Sequence, residues 1–290
     1  MKEKLEQLIE YVTGNTPSNE IYEARKEYQK TAGEIYEDDK AYETRMGLFL
    51  EWYICDRLVP EKQQSLLELM ISENGGRWSR EQLELFSGLA NSINGLFMPK
   101  KIRDDQVVVL NLFDESKYRV KETHGKIMFG KGDIFQARIV PANGEYFFTG
   151  NFCFHPKEAN KFIKEEIHKV TGLHQKNIKE LKSLDSKLKD LNTQLKKNQR
   201  EIEKITLKIE SSGSPQKKQS LGEKLDQLKE VHSSLNQQIT ALKTEKSDLE
   251  IQKIKIEERE SRNQLIQRLT YMNLKWERFR QIDLKDIYRN

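Results

Sequence analysis

Cysteine is scarce in this chain of 290 residues, and its placement excludes two common uses of the residue. Cys55 and Cys153 stand alone, without the paired spacing of a zinc ligand set or of a disulfide framework. Both lie among apolar residues, which predicts buried thiols in a reducing compartment. The sequence therefore predicts neither a metal nor a cofactor.

Long apolar runs are also missing. No stretch approaches the roughly 18 consecutive apolar residues that a membrane-spanning helix needs. The first six residues are charged and helix-like, and they lack the apolar core of a secretory signal. These features predict a cytoplasmic protein with no membrane span.

Catalytic signatures are equally sparse. The first 100 residues contain no histidine, which argues against a histidine-ligated metal centre among the predicted helices. The turns around Gly125 and Gly130 lack the spacing of a phosphate-binding loop. Cys153 and His155 would share one strand face, so they could form a catalytic thiol–base pair. Packing at the end of a strand before Pro156 accounts for the same two residues without catalysis. We expect a protein that is not an enzyme.

Charge is balanced overall but unevenly distributed. The net charge of +4 combines 11 basic and 18 acidic side chains in residues 1–99, 9 and 7 in residues 100–155, and 30 and 21 in residues 156–290. An acidic first part and a basic last part can attract each other, within one chain or between copies. The basic part can equally meet an acidic surface such as nucleic acid, or simply be solvated.

Two long helical arms with a heptad repeat dominate residues 156–280, and 281–290 form a short tail. The break between them lies near 211–216, where Ser-Ser-Gly-Ser-Pro stops a helix. Apolar steps of alternately four and three keep one seam facing a partner helix, which predicts an antiparallel coiled-coil hairpin or a pairing between chains. The seam residues are Ile167, Val170, Leu181, Leu184, Leu188, Leu191, Leu195, Ile202, Ile205 and Ile209 in the first arm, and Leu221, Leu225, Leu228, Leu235, Ile239, Leu242 and Leu249 in the second.

Polar residues interrupt this seam. Asn177 and Asn198 occupy core positions, where asparagine usually fixes register and strand number. His174 and His232 lie about 39 and 19 residues from Gly213, so a symmetric hairpin would not bring them together as metal ligands.

The repeat loses phase around Ile251 to Ile256 and then resumes with large aromatic residues. Trp276 and Phe279 in this last stretch suit docking on a globular body. We expect the tail around Arg278 to pack near the start of the first arm.

Residues 1–100 read as a helical region and residues 101–155 as a small antiparallel β module. Asn143-Gly144 is a strong signal for a tight hairpin, and the β residues suggest a small barrel or curved sheet. The predicted helices cover 1–13, a segment from Ser18, 41–58, 64–70 and 80–90, and the predicted strands cover 107–113, 118–123, 133–140 and 145–154.

Two motifs carry a family resemblance. Phe49-Leu50-Glu51-Trp52-Tyr53 and, later, the run from Gly132-Asp133 through Ala137-Arg138 to Pro141 resemble the F-x-E-W-[FY] helix and the G-D-x-x-x-A-R-[LI]-x-P β module of an uncharacterised bacterial family. Some members of that family carry a C-terminal SEC-C zinc motif. This chain has no such cysteine cluster, so the resemblance implies an architecture and no activity.

The candidate structural and interaction residues follow from these patterns. Glu51, Asp56 and Arg57 beside Trp52 predict an ion network between the third helix and the β module. The β module also contains basic residues among its rings, which leaves nucleic-acid binding open, although a barrel this small needs most rings for its core. The full set is Glu51, Trp52, Asp56, Arg57, Asp133, Arg138, Asn177, Asn198, Trp276 and Phe279.

The sequence thus predicts an α+β protein, with a helical bundle and a small antiparallel β barrel or sheet followed by a long coiled-coil hairpin. The expected function is a non-enzymatic scaffold or adaptor that binds a protein partner or itself through the coiled coil. The alternative is a nucleic-acid-associated protein that uses the lysine-rich arm and the β module.

Overall fold

The computed structural model describes residues 2–60, 62–73, 76, 78–103, 105–121 and 129–289. The chain forms two compact units. The first unit contains Met1–Thr171 and Arg259–Asn290, and the second contains Gly172–Glu258.

The first unit begins with helices in the positions that the sequence predicts. Capping boxes from Ser65 to Glu68 and from Ser79 to Gln82 fix the starts of the fourth and fifth helices. The fourth starts two residues later than predicted, because Gln64 and Ser65 pair with Leu58 and Val59 as two short strands. The elements are α1 (Lys2–Asn15), α2 (Ser18–Ala32), α3 (Tyr42–Cys55), β1 (Leu58–Val59), β2 (Gln64–Ser65), α4 (Leu66–Ser72) and α5 (Arg80–Ala90).

A closed five-stranded β barrel follows, which confirms the predicted small barrel. The strand order β3-β4-β5-β7-β6 closes through pairing of β3 with β6, and β8 adds to β6. The β5–β7 pair is parallel, so the predicted antiparallel arrangement is wrong for this pair. The strands are β3 (Ile93–Ile102), β4 (Gln106–Asn111), β5 (Lys117–Lys121), β6 (Ile134–Ala142), β7 (Glu145–Phe148) and β8 (Cys153–His155).

Strand β3 is absent from the sequence prediction, and the predicted boundary between residues 100 and 101 falls inside it. Gly95 and Pro99 hide the strand, because both residue types are depleted in strands. The sheet accommodates the proline at an irregularity, where the β3–β4 register shifts between Pro99 and Lys101.

The β6–β7 hairpin turns as predicted, with positive φ at both Asn143 and Gly144. The predicted strand 145–154 is instead two strands, interrupted at 149–152. The end of the predicted strand 118–123 and the connector His124-Gly125-Lys126 lie outside the described residues, as does Gly75 of the break after the fourth helix.

Long helices make up the rest of the chain. The helical break falls at 212–214, with Pro215 at the first position of the next helix, as the sequence predicts. The elements are a 3-10 turn (Lys157–Ala159), α6 (Asn160–Ser211), α7 (Pro215–Asp248), a π-helical segment (Leu249–Glu257), α8 (Glu258–Arg278) and α9 (Leu284–Ile287).

The π-helical segment coincides with the predicted loss of heptad phase around Ile251 to Ile256. Its i→i+5 hydrogen bonds widen the helix and shift the phase of the apolar stripe, which accounts for the interruption of the repeat. The first compact unit resumes at Arg259, soon after this segment ends at Glu257.

Within the first unit, α8 and the first turns of α6 share a core with the barrel. Leu265, Ile266 and Leu269 of α8 pack with Ile163 and Ile134 in one buried cluster. The barrel interior and the α1–α5 region each have a separate cluster. In the part of the chain that the structure describes, no helix is both long and apolar enough to cross a membrane.

Candidate functional site

A buried guanidinium connects the barrel to helix α3. Arg138, on β6, is 2% exposed and donates from Nε to Glu51 Oε2 at 3.3 Å. Its Nη1 donates to Ser92 Oγ at 2.9 Å, and its Nη2 donates to Asp56 Oδ2. One side chain of the barrel thus bridges two carboxylates from α3 and its C-terminal cap.

Amide side chains complete this cluster. Asn151 donates to the second oxygen of Glu51 at 2.8 Å. Asn94 lies opposite Arg138 in the β3–β6 register and donates to Asp56 Oδ2 at 3.3 Å. Both oxygens of the buried Glu51 carboxylate therefore have donors, which buried charges require.

Burial and charge act in opposite directions in this cluster. Burial raises the pKa of Glu51, and the opposing effects of Arg138 and Asn151 do not cancel that rise. Burial acts to lower the pKa of Arg138, but the charges of Asp56 and Glu51 outweigh it and the pKa is raised. Arg138 therefore stays charged, and the cluster is a compensated ion network.

The predicted partner Arg57 does not join this network, so that part of the prediction is wrong. Arg57 follows the end of α3 and donates from Nε to Glu27 Oε2 at 2.8 Å, at a half-exposed site. Its guanidinium also lies 5.9 Å from the Tyr53 ring centre. Trp52 is buried beside Tyr28, with ring centres 5.2 Å apart.

Asp133 has a local role in the turn before β6. Its Oδ2 accepts from the Gly130 backbone N–H at 2.6 Å, and its Oδ1 lies 3.3 Å from Lys157 Nζ. This is an Asx-type turn contact, which holds the entry to the strand.

A second buried polar cluster escaped the sequence prediction. Arg45 of α3, 3% exposed, donates to Asn273 Oδ1 and Glu277 Oε2, each at 2.9 Å. Asn273 in turn donates to the Phe154 carbonyl at 2.8 Å. The signal in the sequence is an arginine on the apolar face of α3, which requires a buried acceptor.

Cys153 and His155 lie on one buried face of β8, as predicted. Burial raises the pKa of the Cys153 thiol to about 12 and lowers the pKa of His155 to about 3. Both side chains are therefore neutral near pH 7, whereas nucleophilic catalysis by cysteine needs a thiolate. Instead, the Nδ1 atom of His155 lies 3.1 Å from the Tyr288 hydroxyl oxygen.

The polar seam residues of the second unit form two separate groups of contacts. Asn198 donates to the Leu228 carbonyl at 3.2 Å, and its Oδ1 lies 3.2 Å from His232 Nδ1. Asn177 donates to Glu258 Oε1 at 3.0 Å. His174 contacts the other oxygen of the same carboxylate. The two histidines thus occupy different places in the seam.

Of the predicted docking residues near the end of the chain, Trp276 is packed and Phe279 is exposed. Trp276 packs with the cluster that contains Ile163, and Arg280 lies 3.5 Å above its ring. Phe279 is 44% exposed, so the docking predicted for its ring is wrong. Its neighbour Arg278 makes the polar contact of this region, because it donates to both oxygens of Asp39, at 2.7 and 2.6 Å.

Potential metal ligands do not gather into a centre in the described parts of the chain. Among residues 2–60, 62–73, 76, 78–103, 105–121 and 129–289, no group of three or more histidine, cysteine, aspartate or glutamate side chains is arranged to hold a metal ion.

A family model with the description "Family of unknown function (DUF7986)" matches residues 1–207. The chain belongs to DUF7986. The match covers the helical region, the barrel and α6 to within four residues of its end at Ser211. The comparisons with curated proteins and with solved structures found no match.

The Arg138 network of this DUF7986 member generates a stability prediction. Arg138→Met removes the guanidinium and leaves the buried Glu51 carboxylate and the partly buried Asp56 carboxylate without their cation, so we expect the free energy of unfolding to fall by about 3–5 kcal/mol. Arg57→Met is the matched control, and it should cost about 1 kcal/mol or less because its ion pair is half-exposed. Urea unfolding of both variants measures the difference, and equal losses would contradict the assignment.

The buried imidazole generates a pH prediction. Because the pKa of His155 is about 3 in the folded chain and near 6.5 otherwise, the unfolded chain binds the extra proton between these values. Wild-type stability should therefore fall with decreasing pH below 6.5, by about 1.4 kcal/mol per pH unit relative to His155→Leu. Denaturant titrations from pH 7 to pH 4 test this, and a pH-independent difference would refute it.

Proposed function

We propose that this chain is a non-enzymatic scaffold or adaptor. A helical hairpin is joined to the barrel-containing unit, and the hairpin contacts a protein partner or a second copy of the chain. The pattern of contacts between α6 and α7 is the observation that carries this proposal.

These contacts support antiparallel pairing. Asn198 Oδ1 of α6 lies 3.2 Å from His232 Nδ1 of α7. Asp185 Oδ1 lies 2.8 Å from Lys246 Nζ, farther along both helices. Residues farther from the break on α6 thus contact residues farther from the break on α7. This order supports an antiparallel coiled-coil hairpin in which polar residues set the register.

The surface of the second unit supports an interaction role. Residues 172–258 contain 18 basic and 14 acidic side chains, and most positions along α6 and α7 in this range are exposed. Mixed charges flanking a narrow apolar seam set partner choice and orientation in coiled coils. We also propose that the protein is cytoplasmic. We further propose that it is related, through its two sequence motifs, to the bacterial family in which some members carry a SEC-C motif.

The buried polar clusters support a role without catalysis. Arg138 neutralises its carboxylate neighbours, and the Cys153 thiol and the His155 imidazole are uncharged near neutral pH. Structural ion networks of this kind orient elements against one another, and reaction chemistry needs an accessible group in a reactive protonation state.

Solution mass and cross-linking test the hairpin. We expect light scattering at low and high salt to give a mass near the 34.2 kDa of one chain. A chain with Asn198→Cys and His232→Cys should react with a short bis-maleimide to give a cross-linked monomer, because these side chains are in contact.

The single variant His232→Cys is the matched control. Because Cys55 and Cys153 are buried, its introduced thiol can be cross-linked only between copies. A covalent dimer that forms from the double variant and not from this control would contradict the intramolecular hairpin. The protein would then be a self-assembling spacer.

Nucleic-acid binding is the second candidate, and the excess of basic side chains in residues 156–290 favours it. Strand β5 exposes Lys117 and Arg119, whereas Arg138 and the ring of Phe135 are buried. Retention on DNA or RNA that weakens steeply with salt, and that Lys196→Glu with Lys197→Glu abolishes, would support this candidate. Absence of retention at low salt would exclude it.

A further inference from the structure

Three neighbouring strands of the barrel, β3, β4 and β5, carry positive charge and no negative charge. The acidic residues nearest to them in the sequence lie in the two connecting turns, at 104–105 and 114–115. The three strands therefore form a positively charged part of the barrel. Their basic residues are Lys100, Lys101, Lys117, Arg119 and Lys121.

Alternation along β4 determines which of its side chains point away from the barrel interior. Val107 and Val109 belong to the buried interior cluster. Val108 and Leu110 are half-buried and lie outside the three buried clusters that the described residues form. Because successive side chains of a strand point to opposite faces, these two residues form an apolar row on the outside of β4.

Basic side chains lie on both sides of this apolar row. Val108 pairs with Lys101 of β3 on one side and with Arg119 of β5 on the other. Leu110 pairs with Lys117 of β5. Directly paired residues of neighbouring strands share a face of the sheet. These five residues thus form one outer surface, which we call the barrel face.

The basic side chains of the barrel face are exposed and uncompensated. Lys101, Lys117 and Arg119 are exposed, and none of them has an ion-pair partner in the described part of the chain. Lys121, at the end of β5, pairs instead with Glu145 at 3.2 Å. Unpaired cations beside apolar side chains attract a partner that is both acidic and apolar.

The width of the barrel face fits an α-helix. Neighbouring strands lie roughly 4.8 Å apart, so the backbones of β3 and β5 are about 10 Å apart across β4. An α-helix with its side chains is roughly 10–12 Å wide. A helix that lies along β4 can therefore place an apolar stripe on the outer row and acidic side chains towards the cations on both sides.

Single-stranded nucleic acid fits this surface less well. Proteins that bind it without sequence preference stack the bases on aromatic rings. Tyr118 of β5 pairs with Val109 and packs against the interior cluster, where its ring centre lies 5.0 Å from that of Tyr146. The barrel face itself consists of aliphatic and basic side chains, so it offers no ring for stacking.

We propose that the barrel face binds an acidic amphipathic helix of a partner protein. Val108 and Leu110 contact the apolar stripe of this helix, and its carboxylates pair with the three cations. The site lies entirely in the first compact unit and uses no residue of the α6–α7 seam. It therefore goes beyond the proposed role of the hairpin and stands or fails independently of it.

Fluorescence anisotropy with the full chain tests this inference. The probe is a labelled synthetic peptide of about 20 residues, with leucine at every third or fourth position and glutamate at the flanking positions. The counterparts are the same peptide with glutamine in place of glutamate, and a labelled single-stranded oligothymidine. We expect saturable binding of the acidic peptide, and binding of the glutamine peptide that is weaker by about tenfold or more.

Two barrel variants locate the site. Lys117→Glu with Arg119→Glu should weaken binding of the acidic peptide about tenfold or more, because repulsion replaces attraction. Val108→Thr keeps a β-branched side chain but adds a hydroxyl, and it should weaken binding roughly threefold. Lys217→Glu with Lys218→Glu is the matched control, since it changes the net charge equally at two exposed positions of α7. It should bind as the wild type does.

Circular dichroism checks that the variants fold, and the comparison of the two peptides uses the wild-type chain. Absence of saturable binding of the acidic peptide would overturn the proposal, and so would equal binding of the glutamine peptide. Unchanged binding by a folded Lys117→Glu, Arg119→Glu chain would overturn it as well. Tighter binding of the oligothymidine, lost on the same charge reversal, would assign the barrel face to nucleic acid instead.

Discussion

The pairing of Arg138 with two carboxylates is the interaction on which the first unit depends. Helix α3 has to approach the barrel closely enough for Glu51 and Asp56 to reach one guanidinium. Such a buried network adds little to stability relative to an apolar core, but it is costly to break and therefore selects one docking geometry. Helix α8 contacts the same helix α3 through the second polar cluster, because Arg45 donates to Asn273 and Glu277.

Local patterns in the sequence predicted much of this architecture. The Asn143-Gly144 turn, the helical break before Pro215 and the phase loss near Ile251 each depend on a few neighbouring residues, and each appears where expected. Strand β3 escaped because its glycine and proline contradict local propensity. Tertiary pairing on both sides overrides that propensity, since β3 closes the barrel between β4 and β6.

The candidate site was less accessible to sequence reasoning. The sequence indicates Glu51 and Asp56 as members of an ion network, and adjacency along the chain suggests Arg57 as their partner. The actual partner is 82 residues away from Asp56, on a strand whose register brings it there. Asn273 carries no local signal at all, because an asparagine on a helix becomes notable only once its burial and its contacts are known.

The three tryptophans, Trp52, Trp78 and Trp276, all belong to the first compact unit. Intrinsic fluorescence therefore reports on that unit alone, whereas far-ultraviolet circular dichroism is dominated by helices of both. The two spectroscopic signals therefore report on different parts of the protein. Coincidence or divergence of the two signals during denaturation distinguishes one cooperative transition from independent melting of the arm.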